Sequence, residues 1–295
     1  IRSPADNSLV GEVPVASPEE IRQHVERADR AFRGWRETSL RERAGAFRRL
    51  RREMLKARGR IADLVAREQG KPLLEACIAE IFPCLAQLTF LIHDGTRILA
   101  SRAAPHRQPF LQGRHGRYCF QPYGVWALIS PWNYPFCIPF LQAAALIFGG
   151  NAVVLKPSPL TPRSGELVLE IFRAAGFPDG VLEVIHGGAE EGNLLVRDER
   201  VRAVLFTGGV EGGRKVAVAA ASGLKKVVLE LGGKDAALVL DGANLERAAR
   251  GISWSAMANA GQTCASVERV YVERGVADRF KKLLEENVAA VRVGH

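Results

Sequence analysis

The 295-residue chain is poor in the residues that would announce a metal centre or a disulfide scaffold. It has five cysteines, six histidines and two methionines. The cysteines (Cys77, Cys84, Cys119, Cys137, Cys264) are odd in number and show no CxxC spacing, which argues against a disulfide framework and against a structural zinc site. A reducing compartment, the cytoplasm, is expected. The histidines show no HExxH or comparable ligand spacing, so no metal is expected. Long apolar runs are also missing. The longest, Cys137 to Phe148, is broken by Pro139 and Gln142 and falls well short of the ~20 residues that cross a bilayer. No membrane partner is expected. Two phosphate-binding fingerprints fail as well. Gly208 to Lys215 reads GxxxxGRK, without the Lys-Ser/Thr ending of a P-loop, and His186 to Gly192 reads HGGAEEG, with Ala189 where GxGxxG needs glycine.

What is present is ordinary globular composition, 47% apolar and 25% charged. At roughly 150 residues per domain the length corresponds to about two domains. The net charge of +9 is concentrated: residues 21–60 hold fourteen Lys/Arg against five Asp/Glu, so the rest of the chain sums to zero. In that segment Ile21, Val25, Ala28, Phe32 and Trp35 form a helical apolar stripe, with arginines expected to face outward between them. A solvated helical face is the reading, not a nucleic-acid site, and the crevice region is expected to be charge-balanced.

Two helix starts are marked by the S-x-x-E capping box, at Ser17 to Glu20 and Ser39 to Glu42. Gly70-Lys71-Pro72 is expected to break the second run. A third helical pattern covers about 73–93, where Cys77 and Cys84, seven apart, are expected to share a buried face. Residues 101–117 carry Arg, His, Pro and Gly without a helical period and read as a loop or protruding hairpin. Strand-like runs follow at 124–130, 152–156, 182–186, 203–207 and 226–231, most of them trailed by helical pattern. This alternation predicts an α/β fold: a Rossmann-like, doubly wound parallel sheet with N-terminal helices, a protruding β-hairpin and the start of a second α/β domain.

In such sheets ligands bind outside the carboxyl ends of the strands. The turns after these five runs, PWNYP at 131–135, KPSP at 156–159, Gly187-Gly188, Thr207-Gly208-Gly209 and Gly232-Gly233-Lys234, should therefore converge on one crevice. Cys264, in the polar stretch Gly261-Gln262-Thr263-Cys264, could be an exposed nucleophile or a small buried hydrophobe. Glu230 ends an apolar run, either as a base whose pKa is raised by burial or as a carboxylate at the strand's exposed rim. Asn133 could be a turn residue or an amide donor to developing negative charge.

PWNYP, FTGG, ELGGK and GQTC in this order, with Cys264 34 residues after Glu230, resemble the aldehyde dehydrogenase superfamily along essentially the whole chain. The resemblance implies roles. Cys264 would be the nucleophile, Asn133 with the Cys264 N–H the oxyanion donors, and Glu230 the base that activates water, a carboxylate that acyl-transferring relatives lack. NAD or NADP would be held by Ile129, Ser130, Pro131, Trp132, Lys156, Ser158, Pro159, Gly188, Gly192, Phe206, Thr207, Gly208, Gly209 and Leu231. Two positions depart from the family pattern. Pro159 stands where a ribose-binding Glu is common, which favours acceptance of NADP, and Gly209 stands where Ser is common.

The resemblance further implies a cofactor domain over 1–100 and 123–234, an oligomerisation hairpin over 101–122, and a partial catalytic domain over 235–295. The substrate would be a small-molecule aldehyde, and the complete protein a homodimer or homotetramer. The family's E-x-F-G-P segment is absent, so the chain reads as truncated at its C-terminal side. A semialdehyde-specific enzyme and an inactive scaffold that only binds dinucleotide stay open as alternatives.

Overall fold

The computed structural model describes residues 1–105, 108, 110, 113–292 and 294. Two compact units emerge, Ile1–Thr207 with Glu211–Glu230, and Gly208–Val210 with Leu231–His295.

The first unit begins with helices α1 (Pro18–Trp35) and α2 (Leu40–Lys56), each opened by its complete capping box. The α1 stripe buries Ile21, Val25, Ala28 and Trp35. Most of the intervening arginines face water beside their own helix's acids, as in Arg30–Glu26 and Arg33–Asp29. Arg43 departs from the outward expectation. It is buried, and its guanidinium donates to the Phe148 and Arg36 carbonyls and to the Thr38 hydroxyl, so its charge is hydrogen-bonded at that corner. The run from residue 40 divides earlier than expected, at Ala57, and α3 (Arg58–Gln69) then ends on Gly70 in the left-handed conformation.

Helix α4 (Leu73–Leu99) is a single 27-residue rod containing two wide π turns, Ala76–Ile81 and Leu91–Gly95. Wide turns change which residues share a face. Ala76, Glu80, Cys84, Leu88 and Ile92 are buried at a spacing of four, whereas Cys77 is exposed. The expected pairing of Cys77 with Cys84 on one buried face is therefore wrong, because the extra residue in the first wide turn rotates Cys77 out. By length and composition alone this helix is long and apolar enough to cross a membrane. In this fold it packs on α2, α3 and α5 (Cys137–Phe148) and carries a buried ion pair.

Strands β1 (Arg102–Ala104) and β2 (Gly116–Tyr118) pair antiparallel as the expected hairpin. Within the 101–122 segment, residues 106, 107, 109, 111 and 112 lie outside the described residues. The main sheet has β3 (Val125–Ile129), β4 (Ala152–Lys156), β5 (Leu182–Val184), β6 (Val201–Thr207) and β7 (Lys226–Glu230), all parallel, in the order β5-β4-β3-β6-β7. Every residue of β3 and β4 is buried, as expected of strands covered on both faces.

The crossovers place α5 and α6 (Pro162–Ala174) on one face, and α7 (Ala189–Arg197) with α8 (Val210–Ala221) on the other, where α1 joins α7. Phe47, Phe140, Phe148, Phe172 and Phe177 pack edge-on or tilted between the α2, α5 and α6 layers. Trp35 joins them with its indole N–H donating to Ile147 O at 2.8 Å, so its one polar atom is satisfied in the core.

The second unit is a βαβ element: β8 (Asp235–Val239), α9 (Leu245–Met257) and β9 (Val267–Val272), with β8 and β9 parallel, followed by α10 (Ala277–Ala289). Val239, Leu245, Ala249 and Phe280 form its small core.

Candidate active site

The chain leaves β3 and β4 toward one edge of the sheet and returns through β6, so the order reverses between β3 and β6. A cavity of about 650 Å³ opens beside that reversal, at the carboxyl ends of β3, β4 and β6. Ile129, Lys156, Pro159, Gly188, Gly192 and Phe206 line it, six of the fourteen residues expected to hold a dinucleotide. Ser158 lines a second cavity of about 460 Å³ that shares Pro159 and Gly188 with the first. Ser130, Pro131, Trp132, Thr207, Gly208, Gly209 and Leu231 are not among the lining residues of either. Ser130 is buried, and its hydroxyl has no partner among the described residues. Thr207 Oγ1 accepts from Gln142 Nε2 at 2.8 Å.

Sequence reasoning missed the helical walls. Ala189, Asn193, Val196 and Arg197 of α7 face Gly212, Lys215 and Ala219 of α8 across the cavity. Each set recurs at spacings of three and four, a stripe that could have been read once the two helices were known to flank one strand. These walls overturn the expected charge balance. Lys156, Arg197, Arg214 and Lys215 line the cavity, and among the described residues no acidic side chain does. Averaging charge over the whole chain hid this local excess.

Lys156 is the most perturbed group in the cavity. It is 5% exposed, and its ammonium donates to Gly187 O at 2.9 Å and Pro157 O at 3.1 Å, leaving one of its three donors over. Burial pushes its pKa down to about 8, against the pull of the Glu191 carboxylate. Gly192 permits the approach: a Cβ there would lie 3.3 Å from Lys156 Cε. Glu191 turns back to accept from Gly188 N at 2.6 Å, fixing the entry to α7. In the second cavity His186 Nε2 lies 3.1 Å from Glu166, and burial holds its pKa below the usual imidazole range.

Asn133 is half-buried in the loop after β3. Its carbonyl accepts from Lys71 Nζ at 3.2 Å. Glu230 is the last residue of β7, at the edge of the sheet, and it is exposed. Of the two positions left open for it, the exposed rim is the one observed.

In the second unit, Cys264 is exposed in a turn closed by Ser266 N donating to Thr263 O at 3.1 Å. The segment before it is strained. Asn259, Ala260 and Gly261 all have positive φ (54°, 56° and 74°), and Asn259 and Gln262 lock it through reciprocal side-chain to carbonyl bonds. A non-glycine residue held in that region costs of order 1–3 kcal/mol and persists only where its surroundings enforce it. Gly233 of the ELGGK motif meets the same turn: a Cβ would lie 2.1 Å from the Cys264 carbonyl oxygen, so only glycine fits. The spacing between ELGGK and GQTC thus has a physical basis in the βαβ element that brings the two motifs together. Among the described residues no three His, Cys, Asp or Glu side chains are grouped to hold a metal ion.

The family model described as "Aldehyde dehydrogenase family" matches residues 1–295. The chain belongs to the aldehyde dehydrogenase family. It is 38% identical to a 4,4'-diapolycopene aldehyde oxidase of Methylomonas sp, over 99% of this chain and 55% of that protein. It is 36% identical to the NADP+-dependent succinate-semialdehyde dehydrogenase of Escherichia coli K12, over 100% of this chain and 60% of that protein. The crystal structure of an NADP-dependent Escherichia coli enzyme superposes with a TM-score of 0.94 at 35% identity, again over 100% of this chain and 60% of the other. The chain thus spans between 55% and 60% of the length of these curated relatives.

Proposed function

We propose that the protein is an NAD(P)-dependent, non-acylating aldehyde dehydrogenase, converting an aldehyde and water to a carboxylic acid. The observation that carries the cofactor half of this reading is the cavity at the sheet's reversal point, apolar between α7 and α8 and lined by four cations without an acid. That chemistry fits a planar base joined to a polyanion. Lys156, Pro159, Gly188, Gly192 and Phe206 would hold the dinucleotide, whose nicotinamide supplies the hydride acceptor. Pro159 brings no carboxylate to oppose a 2′-phosphate, and Lys156, Arg197, Arg214 and Lys215 would favour one, which supports use of NADP as well as NAD.

The protein's own residues carry the carbon chemistry. The Cys264 thiolate adds to the aldehyde carbon, and the new oxyanion is stabilised by the Asn133 amide and the Cys264 backbone N–H, contacts of a type worth roughly 3–4 kcal/mol. Collapse of that oxyanion expels hydride and leaves a thioester on Cys264. Glu230 removes a proton from water, the resulting hydroxide attacks the thioester carbonyl, and the C–S bond breaks to release acid and thiolate. An exposed Glu230 and an exposed Cys264 suit groups that must meet water and substrate. The β1–β2 hairpin would serve contacts between subunits of a cytoplasmic homodimer or homotetramer. A semialdehyde is the second reading of the substrate, favoured by the name of the Escherichia coli relative.

The test is NAD(P)H formation by the purified full-length protein with succinate semialdehyde, glutarate semialdehyde and a long-chain apolar aldehyde, each with both cofactors. Cys264→Ala should abolish oxidation while leaving dinucleotide binding, measured by calorimetry, unchanged. Binding without oxidation in the unsubstituted protein would establish the scaffold alternative instead.

A further inference from the structure

Lys71 and Glu80 form the most deeply buried ion pair among the described residues, with side chains 1% and 0% exposed. Neither has a part in the chemistry above. Lys71 follows the left-handed residue that ends α3, and Glu80 sits in the first wide turn of α4. Their charged atoms are 2.5 Å apart. Burying two charges is expensive, and a hydrophobic pair of similar volume is often at least as stable, so the pair needs a reason other than stability.

The remaining contacts of the pair supply one. All run to the segment that follows β3. Lys71 Nζ donates to the Asn133 carbonyl at 3.2 Å and lies 4.1 Å from the centre of the Tyr134 ring. Glu80 Oε2 accepts from Cys137 N at 2.6 Å and from Phe136 N at 3.2 Å, donors at the start of α5 that have no partner within the helix. One buried pair therefore holds the backbone of residues 133–137 at both ends. Glu80 lies within the first wide turn of α4, buried in the same row as Ala76 and Cys84.

We propose that Lys71 and Glu80 are positioning residues for Asn133: by fixing its carbonyl and the helix start behind it, they aim its side-chain amide at the oxyanion. This rests on the reading of Asn133 as an oxyanion donor. A misplacement of about 1 Å at such a donor can cost on the order of 100-fold in rate, so the pair is retained for geometry.

The experiment is a mutant cycle on the full-length protein, reading the single-turnover rate of NAD(P)H formation at saturating aldehyde and, separately, the dinucleotide Kd. Lys71→Met with Glu80→Gln removes both charges together, so no buried charge is left unpaired. Glu80→Asp, which withdraws the carboxylate by one methylene, serves if the double variant does not fold. Asn133→Ala should slow the single turnover by on the order of 100- to 1000-fold. The pair substitution should slow it by roughly 10- to 100-fold in the unsubstituted protein, and by no more than about twofold in the Asn133→Ala background, with Kd unchanged. Equal slowing in both backgrounds, or no slowing in the first while Asn133→Ala is slow, overturns the positioning role. An unaltered rate in Asn133→Ala overturns the reading of Asn133 itself and the positioning role with it, a result distinct from the other two.

Discussion

At the scale of the residue, Lys156 joins structure to a measurable property. Its ammonium is buried against two carbonyls with one donor left for a ligand, and its pKa stands at about 8 rather than 10.5. An anionic ligand favours the charged form, so binding should take up a proton where free Lys156 has already lost one, above pH 8. The dissociation constant for NADP+ should therefore rise with pH through that window, by up to about tenfold per unit while the bound lysine stays protonated. Lys156→Met should bind more weakly at pH 7 and lose the pH dependence; calorimetry from pH 7 to 10 checks both, and a flat profile for the unsubstituted protein would contradict the assignment. The lysine could be named from sequence because it ends a strand at the KPSP turn, a position that the family resemblance assigns to the cofactor. Its burial could not, since Gly192, through which helix α7 approaches it, lies 36 residues further along the chain. Glu230 shows the converse. The apolar run left burial and an exposed rim equally open, and only the strand order, which puts β7 at the sheet edge, decides for an exposed carboxylate.

At the scale of the element, the parallel strands could be read closely from sequence because strands covered on both faces must be continuous apolar runs. The capping boxes could be read because their four-residue pattern is local. Helix α4 could not be read in detail. It contains two wide turns, the first holding Glu80, which no local pattern marks, and an ideal period assigned Cys77 to the wrong face. Thiol labelling tests this register. Under native conditions a water-soluble reagent should modify Cys77 and leave Cys84 and Cys137 protected until the protein unfolds, with burial also pushing the Cys84 thiol pKa up. Equal protection of Cys77 and Cys84 would mean that α4 keeps an ordinary period and that the wide turns are wrong.

At the scale of the whole molecule, net charge misled because it was read as a sum. The +9 matches the arginine-rich helices in number, yet the cavity has its own local excess of four cations, balanced by acids elsewhere in the sequence. Two of the motifs are pinned by specific contacts, Gly233 by its close approach to the Cys264 carbonyl and Asn133 by the hydrogen bond from Lys71. They are shared between the two units, with Asn133 and Glu230 in the first and Cys264 in the second. Their roles in one reaction are thus best tested by separating the two halves of turnover. Glu230→Gln in the full-length protein, mixed rapidly with aldehyde and NAD(P)+, should give a burst of about one NAD(P)H per site followed by turnover slowed by on the order of 100-fold, because acylation of Cys264 needs no base for water whereas hydrolysis does. Unchanged steady-state turnover in Glu230→Gln, or loss of the burst together with turnover, would contradict the account.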